Sequence, residues 1–280
     1  MKMLIGLFSK DDYESYMVCT EIIDTLRKYG IKIQLNKTLY EKLSDMPSLL
    51  DSVIVTENPH KGADMVIIVG GDGSVLSFIR EKKIYDEPIL PVNTGKRGIL
   101  SEVDGKNVAT ALEKIIEGKY HLEKLPVLKI MNIDAPPAVN EILILPVENI
   151  GKISYFRLKD EKENFICNVE CDGIIIASSL GSTAYSLSAG GAVLHPQVDA
   201  YIITFINPLN RNFTSLIMPN DMKIIVELIK PTMADVFIDG KRICTVDKRI
   251  VTGKSKEKIV FVRLAKPPKS FYKRFRKRIA

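Results

Sequence analysis

Residues 65–79, Met-Val-Ile-Ile-Val-Gly-Gly-Asp-Gly-Ser-Val-Leu-Ser-Phe-Ile, constrain the fold of this chain more than any other stretch. The first five are continuously apolar rather than alternating, the pattern of a strand buried on both faces of a parallel sheet. The run halts at Gly70-Gly71-Asp72-Gly73, and helical spacing of apolar residues resumes at Val75, Leu76 and Ile79. A strand, a glycine turn and a helix start, in that order, aim backbone N–H groups at a point where an anion can rest. Glycine also leaves no Cβ in the way of a phosphate. Asp72 is the informative residue, because a turn built only to hold phosphate gains nothing from a like charge. Two readings follow from these four residues: a carboxylate that activates a hydroxyl beside a phosphate, or an N-cap for the helix.

The flanking sequence carries the same rhythm. Residues 3–8 read as a first strand, and Asp11 or Asp12 caps a helix with Tyr16, Cys19, Ile22, Ile23 and Leu26 at helical spacing, closed by Gly30. Residues 31–35 alternate as a second strand, and 38–50 are a weaker helical stretch. Residues 88–92 form another strand ending in Asn93-Thr94-Gly95-Lys96-Arg97-Gly98. With parallel strands this second glycine turn falls at the same sheet edge as the first, where ligands collect in open α/β sheets. Gly70, Gly71, Gly73, Asn93 and Gly95 are therefore candidates for holding phosphates. Residues 107–117 add a helix with Val108, Leu112, Ile115 and Ile116 on one side. This β-α-β-α order predicts a doubly wound parallel sheet.

Near Lys119 the rhythm changes. Strand-like segments follow one another at 127–133, 139–147, 153–158, 165–171, 174–178, 201–205, 222–228, 236–238 and 259–264. Many short strands separated by turn residues predict a sandwich of sheets. The expected division is an α/β domain over residues 1–120, a β-sandwich domain over 121–265 and a basic tail over 266–280. In the tail, Phe271, Phe275 and Ile279 are spaced by four and line one face of a short helix. That helix reads as docking on the first domain, with a membrane-surface role as the alternative.

Charge and composition remove several function classes. Of 40 Lys and Arg residues, seven lie in 266–278, leaving 33 basic against 34 acidic residues in the rest of the chain. The net charge of +6 is thus one tail and not a basic body, which argues against a nucleic-acid partner. No apolar run is long enough for a membrane span, and the first residues lack the pattern of a signal peptide, so a cytoplasmic protein is expected. Cys19, Cys167, Cys171 and Cys244 lack zinc-type spacing, and Cys167 and Cys171 read as two buried thiols on one strand face. His60, His121 and His195 are far apart and read as structural.

Polar residues stand in places a plain sandwich does not need them. Asn140-Glu141 interrupts the apolar run 139–145, and Asp172-Gly173 heads the strand that follows. The segment 181–191, Gly-Ser-Thr-Ala-Tyr-Ser-Leu-Ser-Ala-Gly-Gly, offers small hydroxyl residues and a tight approach to a flat polar ligand. Taken singly, Asn140 reads equally as a bulge residue, Asp172 as a turn former and the hydroxyl run as a helix cap.

Together with Gly70-Gly71-Asp72-Gly73, the segment Asn93 to Leu100 and the late Asp239-Gly240, these motifs resemble the NAD kinases in order and over nearly the whole chain. The glycine turn alone is shared with diacylglycerol-kinase-like and phosphofructokinase-like enzymes; the run 181–191 is the most distinctive match. The resemblance implies an α/β domain followed by a β-sandwich domain, NAD bound between them, and a homodimer or homotetramer built through the second domain. It also implies ATP or another phosphoryl donor, a divalent metal such as magnesium, and phosphorylation of the adenosine 2′-hydroxyl to give NADP. By the same resemblance Asp72 is the base, Asp72 and Gly73 belong to the NAD-binding residues, and Asn140 and Glu141 bond the ribose and adenine groups. Asp172 and Thr183, Ala184, Tyr185, Ser186, Leu187 and Ser188 hold the nicotinamide end and ring edges, from the same or a neighbouring subunit, with Asn207 near the adenine. Departures from the family pattern are Ser178-Ser179, Leu180, Ser77, Asn207 and Lys241. Two rivals remain: a lipid or sugar kinase of the same superfamily, and a catalytically silent NAD(P)(H) sensor.

Overall fold

The computed structural model describes residues 3–51, 53–95, 98–147, 152–210, 212, 215–265 and 269–279. Lys96 and Arg97 of the second glycine turn, Pro267-Pro268 and the side chain of Ile279 lie outside the described residues. The chain divides into two compact units, Met1–Lys124 with Ile259–Ala280, and Leu125–Lys258.

The first unit begins with β1 (Leu4–Ser9), α1 (Tyr13–Lys28), β2 (Lys32–Leu35), α2 (Lys37–Lys42), α3 (Pro47–Leu50) and β3 (Val53–Val55). It continues with β4 (Met65–Val69), α4 (Asp72–Lys82), β5 (Pro88–Asn93), β6 (Val103–Asp104) and α5 (Val108–Ile116). The strands pair in parallel in the order β3-β2-β1-β4-β5, with β6 beside β5. Every residue of β4 is buried, as its unbroken apolar run requires. Alternate residues Ile5 and Leu7, Ile33 and Leu35, Ile67 and Val69, and Leu90 and Val92 share one core with Cys19, Ile22, Ile23 and Leu26 of α1. Burying each large side chain in this layer is worth about 1.5–3 kcal/mol. Asp12 is the cap of α1, accepting from the Ser15 N–H at 2.8 Å.

Two local readings differ from the structure. The helical stretch 38–50 is split. Asn36 caps α2, the chain turns at Leu43, and Pro47 opens α3 because its ring is not tolerated inside a helix. β3 was not expected; it is three residues long with two exposed, a short edge strand with little pattern to read.

Among its described residues the second unit is all β apart from one short helical segment. β7 (His121–Ile130) leads in, followed by β8 (Glu141–Pro146), β9 (Ser154–Asp160), β10 (Phe165–Cys171) and β11 (Gly173–Ala177). After α6 (Tyr185–Ser188) come β12 (Ala200–Ile206), β13 (Ser215–Pro219), β14 (Ile224–Lys230), β15 (Met233–Ile238), β16 (Lys241–Asp247) and β17 (Arg249–Arg263). One antiparallel sheet runs β13-β12-β11-β8-β15-β16; a second joins β10, β9, β14 and the start of β17. Ile142, Ile144, Ile174, Ile176, Ile203 and Phe205 face Phe156, Leu158, Ile224, Val226 and Leu228 in a single core. This is the expected sandwich. Ile175, Ala177 and Ile202 point the other way and pack under Leu194 and Ala189, so the segment after β11 lies over the outer face of that sheet.

β13, β16 and the first two-thirds of β17 were not anticipated. β13 is a five-residue edge strand that ends in Pro219, β16 is an edge strand with charged residues at both ends, and β17 carries Lys, Ser and Glu through its middle. The last residues of β17 belong to the first unit, where Val260 and Phe261 pair in parallel with Pro88 and Ile89 of β5. α7 (Lys269–Ile279) follows, with Phe271 buried and stacked on Phe275 at 5.8 Å.

Candidate active site

In the first unit, parallel pairing of Val69 with Val92 brings both glycine-bearing turns to one edge of the sheet. Gly70 has φ +149°, and a Cβ there would lie 2.9 Å from the Ser74 Cβ, so the turn tolerates no side chain at this position. Gly71 is the N-cap of α4 and Asp72 its first residue, and no side chain caps this helix. The N-cap reading of Asp72 is thereby corrected. Its carboxylate instead accepts from the Ile99 N–H at 2.8 Å and the Leu100 N–H at 3.2 Å. Those donors belong to the turn that opens at Asn93. Asn93 is buried and bonded to Gly95, and a Cβ on Gly98 would lie 3.1 Å from Asn93 Oδ1 and 3.3 Å from Asp72 Oδ1. Gly73 and Gly95 are exposed. The polar atoms of the two turns thus converge on one point.

The second unit holds a different arrangement. Asn140 and Glu141 stand at the entry to β8, each only 7% exposed. Asn140 Oδ1 and Glu141 Oε2 are buried with no hydrogen-bond partner among the described residues. Unpaired buried acceptors cost free energy and mark a place where a ligand's hydroxyl or amino donors fit. The backbone beneath them is clamped from two sides. On one, the Asp239 carboxylate accepts from three consecutive N–H groups, those of Val139, Asn140 and Glu141, at 3.0, 2.7 and 3.1 Å. On the other, the Ser178 hydroxyl donates to the Val139 carbonyl at 2.6 Å, and a Cβ on Gly181 would lie 1.9 Å from the Asn140 carbonyl oxygen. Burial, and then the negative charge of Asp239, push the Glu141 carboxyl up to about 8, against a smaller opposing effect from the Tyr185 N–H.

The run after Gly181 is a 3-10 turn followed by α6. Its hydroxyls are spent internally: Ser182 donates to the Ser179 carbonyl, Thr183 to the Leu180 carbonyl, and Ser186 bonds Thr204. Thr183 and Ser186 therefore shape the loop, while Tyr185 and Ser188 are exposed and Ala184 and Leu187 half-buried. Asp172 and Asn207 form a second, exposed pair, the Asn207 amide donating to Asp172 at 3.0 Å. Antiparallel register sets Ala177 opposite Glu141, so Asp172 sits at the far end of β11. At the usual rise per residue the two ends are about 16 Å apart. One copy of the chain does not bring Asp172 and Asn207 to Asn140 and Glu141.

Among the described residues no three His, Cys, Asp or Glu side chains are grouped to hold a metal ion. All four cysteines are free thiols, Cys171 buried and Cys167 half-buried. No helix among the described residues is long and apolar enough to cross a membrane.

Known proteins share this pattern. A family model described as the ATP-NAD kinase N-terminal domain matches residues 6–120, and one described as the ATP-NAD kinase C-terminal domain matches residues 139–264. The NAD kinase of Methanothermobacter thermautotrophicus is 33% identical over 99% of this chain and 96% of its own length. The chain belongs to the NAD kinase family. It is therefore an enzyme of the phosphotransferase class. A crystal structure of an NAD kinase from Archaeoglobus fulgidus in complex with ATP matches with a TM-score of 0.78 at 26% identity, covering 99% of each chain. Yeast NADH kinase complexed with NADH matches with a TM-score of 0.84 at 21% identity, over 98% of this chain and 86% of that one, a likeness of fold.

Three features of this candidate site were not read from the sequence. The Ile99 and Leu100 amides that hold Asp72 carry no side-chain signal. Asp239 showed only as an Asp-Gly pair; positive φ at both residues, +47° and +78°, makes it the two-residue turn between β15 and β16. The third is the buried pair Arg263 and Arg274, of which Arg263 bonds the Leu100 carbonyl.

Proposed function

We propose that this protein transfers the γ-phosphoryl group of ATP to the 2′-hydroxyl of the adenosine ribose of NAD, giving NADP and ADP, with Asp72 as general base. The observation that carries the reading is that Asp72, at the glycine turn that begins α4, is oriented by two N–H groups of the neighbouring turn and does not cap its own helix. In this reading the 2′-hydroxyl proton passes to the Asp72 carboxylate as the ribose oxygen bonds to the γ-phosphorus. The bond to the bridging β,γ-oxygen breaks, and ADP leaves. Positioning and charge neutralisation do most of the work, with general-base assistance adding about 10²–10⁴-fold.

Gly70, Gly71, Gly73, Asn93 and Gly95 hold donor phosphates through backbone and amide groups, and Asn140 and Glu141 take the ribose and adenine donors of NAD. The loop through Tyr185 and Ser188 bounds the nucleotide. Asp172 and Asn207, at the far end of β11, act on NAD held by another copy of the chain, which makes the working form a homodimer or homotetramer. A magnesium ion enters bound to the phosphates of the donor, since it keeps most of its waters and takes few protein ligands in such sites. Four free thiols suit a reducing, cytoplasmic setting.

The test is incubation of the purified protein with NAD, ATP and magnesium, with the product read by an NADP-specific dehydrogenase. NADP formation that requires all three supports the reading. ATP consumption that follows a lipid or sugar acceptor in place of NAD would sink it.

A further inference from the structure

Behind Asp72 the first unit buries a group of charges that the proposed chemistry does not use. Arg263, at the end of β17, and Arg274, on α7, are among its most deeply buried side chains, 0% and 1% exposed. Arg263 donates through Nε to Glu123 Oε2 at 2.7 Å and through Nη1 to the Leu100 carbonyl at 2.6 Å, and its guanidinium lies 4.6 Å from the Phe261 ring centroid. Arg274 pairs with Glu123 at 3.5 Å and with Glu102 at 4.0 Å. Glu102 accepts from the Ala265 N–H at 2.9 Å. Ion pairs this deep rarely add net stability over apolar side chains of the same volume, so their presence calls for another reason.

The geometry points to one. Residues 99–102 are held on both sides: Ile99 and Leu100 donate to Asp72, while Leu100 and Glu102 accept from Arg263 and Ala265. Leu100 thus ties the Asp72 carboxylate to the Arg263 guanidinium through its own N–H and carbonyl. The charged groups linked to the 99–102 segment are Arg263 on β17, Glu102 before β6, Glu123 on β7 and Arg274 on α7. Lys10, after β1, is paired with Asp12 at 2.8 Å. Burial, and then the charge of Arg263, bring the Arg274 guanidinium down to about 10, against the opposing charges of Glu123, Glu102 and, least, Asp72.

We propose that Arg263 and Arg274 are positioning residues for Asp72, Arg263 fixing the 99–102 segment that orients the carboxylate and Arg274 supplying the cationic field it works in. The C-terminal helix is then part of the catalytic apparatus through a residue that touches no substrate. This rests on Asp72 as the base, so Asp72→Asn is assayed alongside.

The experiment compares full-length Arg274→Gln, Arg274→Lys and Glu123→Gln, each shown to be folded by a cooperative melt, for kcat, KM for NAD and the pH profile of kcat/KM. In Arg274→Gln, kcat is expected to fall about 10–100-fold while KM stays within about threefold, as for a misplaced but intact base. Loss of a nearby cation moves the acid limb to higher pH, by about half a unit or more. Arg274→Lys keeps the charge and recovers most of kcat. Glu123→Gln removes a negative charge and moves the acid limb the opposite way, a reversal that structural loosening does not produce. If Arg274→Gln fails to fold, the sign of the Glu123→Gln shift carries the test. A folded Arg274→Gln with near-native kcat, or an acid limb unmoved in Glu123→Gln, overturns the proposal while an inactive Asp72→Asn leaves the base in place. Near-native turnover in Asp72→Asn overturns both.

Discussion

Asp72 and Glu141 are carboxylates beside tight turns, yet the chain surrounds them with opposite charge. Asp72 is held by two N–H groups, with the buried guanidinium ions of Arg263 and Arg274 behind it. Glu141 lies 93% buried next to another carboxylate, Asp239, whose own charge is met by three backbone N–H groups. Cationic surroundings favour an ionised acid that can accept a proton. Burial beside a second negative charge favours a neutral acid, which carries no charge into the pocket and still accepts hydrogen bonds from a ligand. In the proposed reading, one residue chemistry serves proton removal in one unit and ligand binding in the other.

The strongest way to break this contrast is to remove Asp239. Asp239→Ala leaves the N–H groups of Val139, Asn140 and Glu141 without their acceptor, an expected loss on the order of 3 kcal/mol by urea denaturation. A loss below about 1 kcal/mol would mean the clamp is dispensable.

Glu141→Gln sharpens the same point through pH. The folded carboxyl is raised to about 8 against an ordinary 4.5, so the folded state holds its proton more tightly than the unfolded chain. Its stabilising contribution is complete below pH 4.5 and is lost as pH rises towards 8. Gln does not titrate. The variant is therefore expected to match the wild type near pH 4.5 and to be more stable by roughly 1–3 kcal/mol at pH 8.5, read from melts at both values. Equal stability at both would place Glu141 in a wetter setting than its burial indicates.

The smallest effect is expected at Asp172, which is exposed and bonded to Asn207. Asp172→Ala is expected to weaken NAD binding by about three- to tenfold in calorimetry, the worth of one or two exposed polar contacts. An unchanged dissociation constant would remove the far end of β11 from the binding site.

Much of this contrast was legible in the sequence and part was not. The continuous run 65–69 and the glycines after it specified a buried parallel strand and its turn, and the short alternating segments after residue 121 specified the sandwich. Asn140-Glu141 was conspicuous because two polar residues interrupt an apolar strand. The partners of each acid were silent. Asp72 is held by amides 27 and 28 residues away, and every residue has an amide. Thr183 and Ser186 looked like ligand donors by composition, but whether a hydroxyl faces a ligand or a carbonyl of its own loop is decided by tertiary packing. Edge strands β13 and β16 escaped for a related reason, since a strand with one solvated side can carry polar residues without penalty.

The most direct measurement sets Asp72→Asn beside Glu141→Gln at pH 7.5, recording kcat for NADP formation and the NAD dissociation constant for each. Asp72→Asn is expected to lower kcat by about 10²-fold or more with NAD affinity within a few-fold of the wild type. Glu141→Gln is expected to keep kcat and NAD affinity within about tenfold, as a neutral side chain of similar shape. Retained turnover in Asp72→Asn, or a loss of chemistry in Glu141→Gln as large as that in Asp72→Asn, would contradict the division of labour between the two acids.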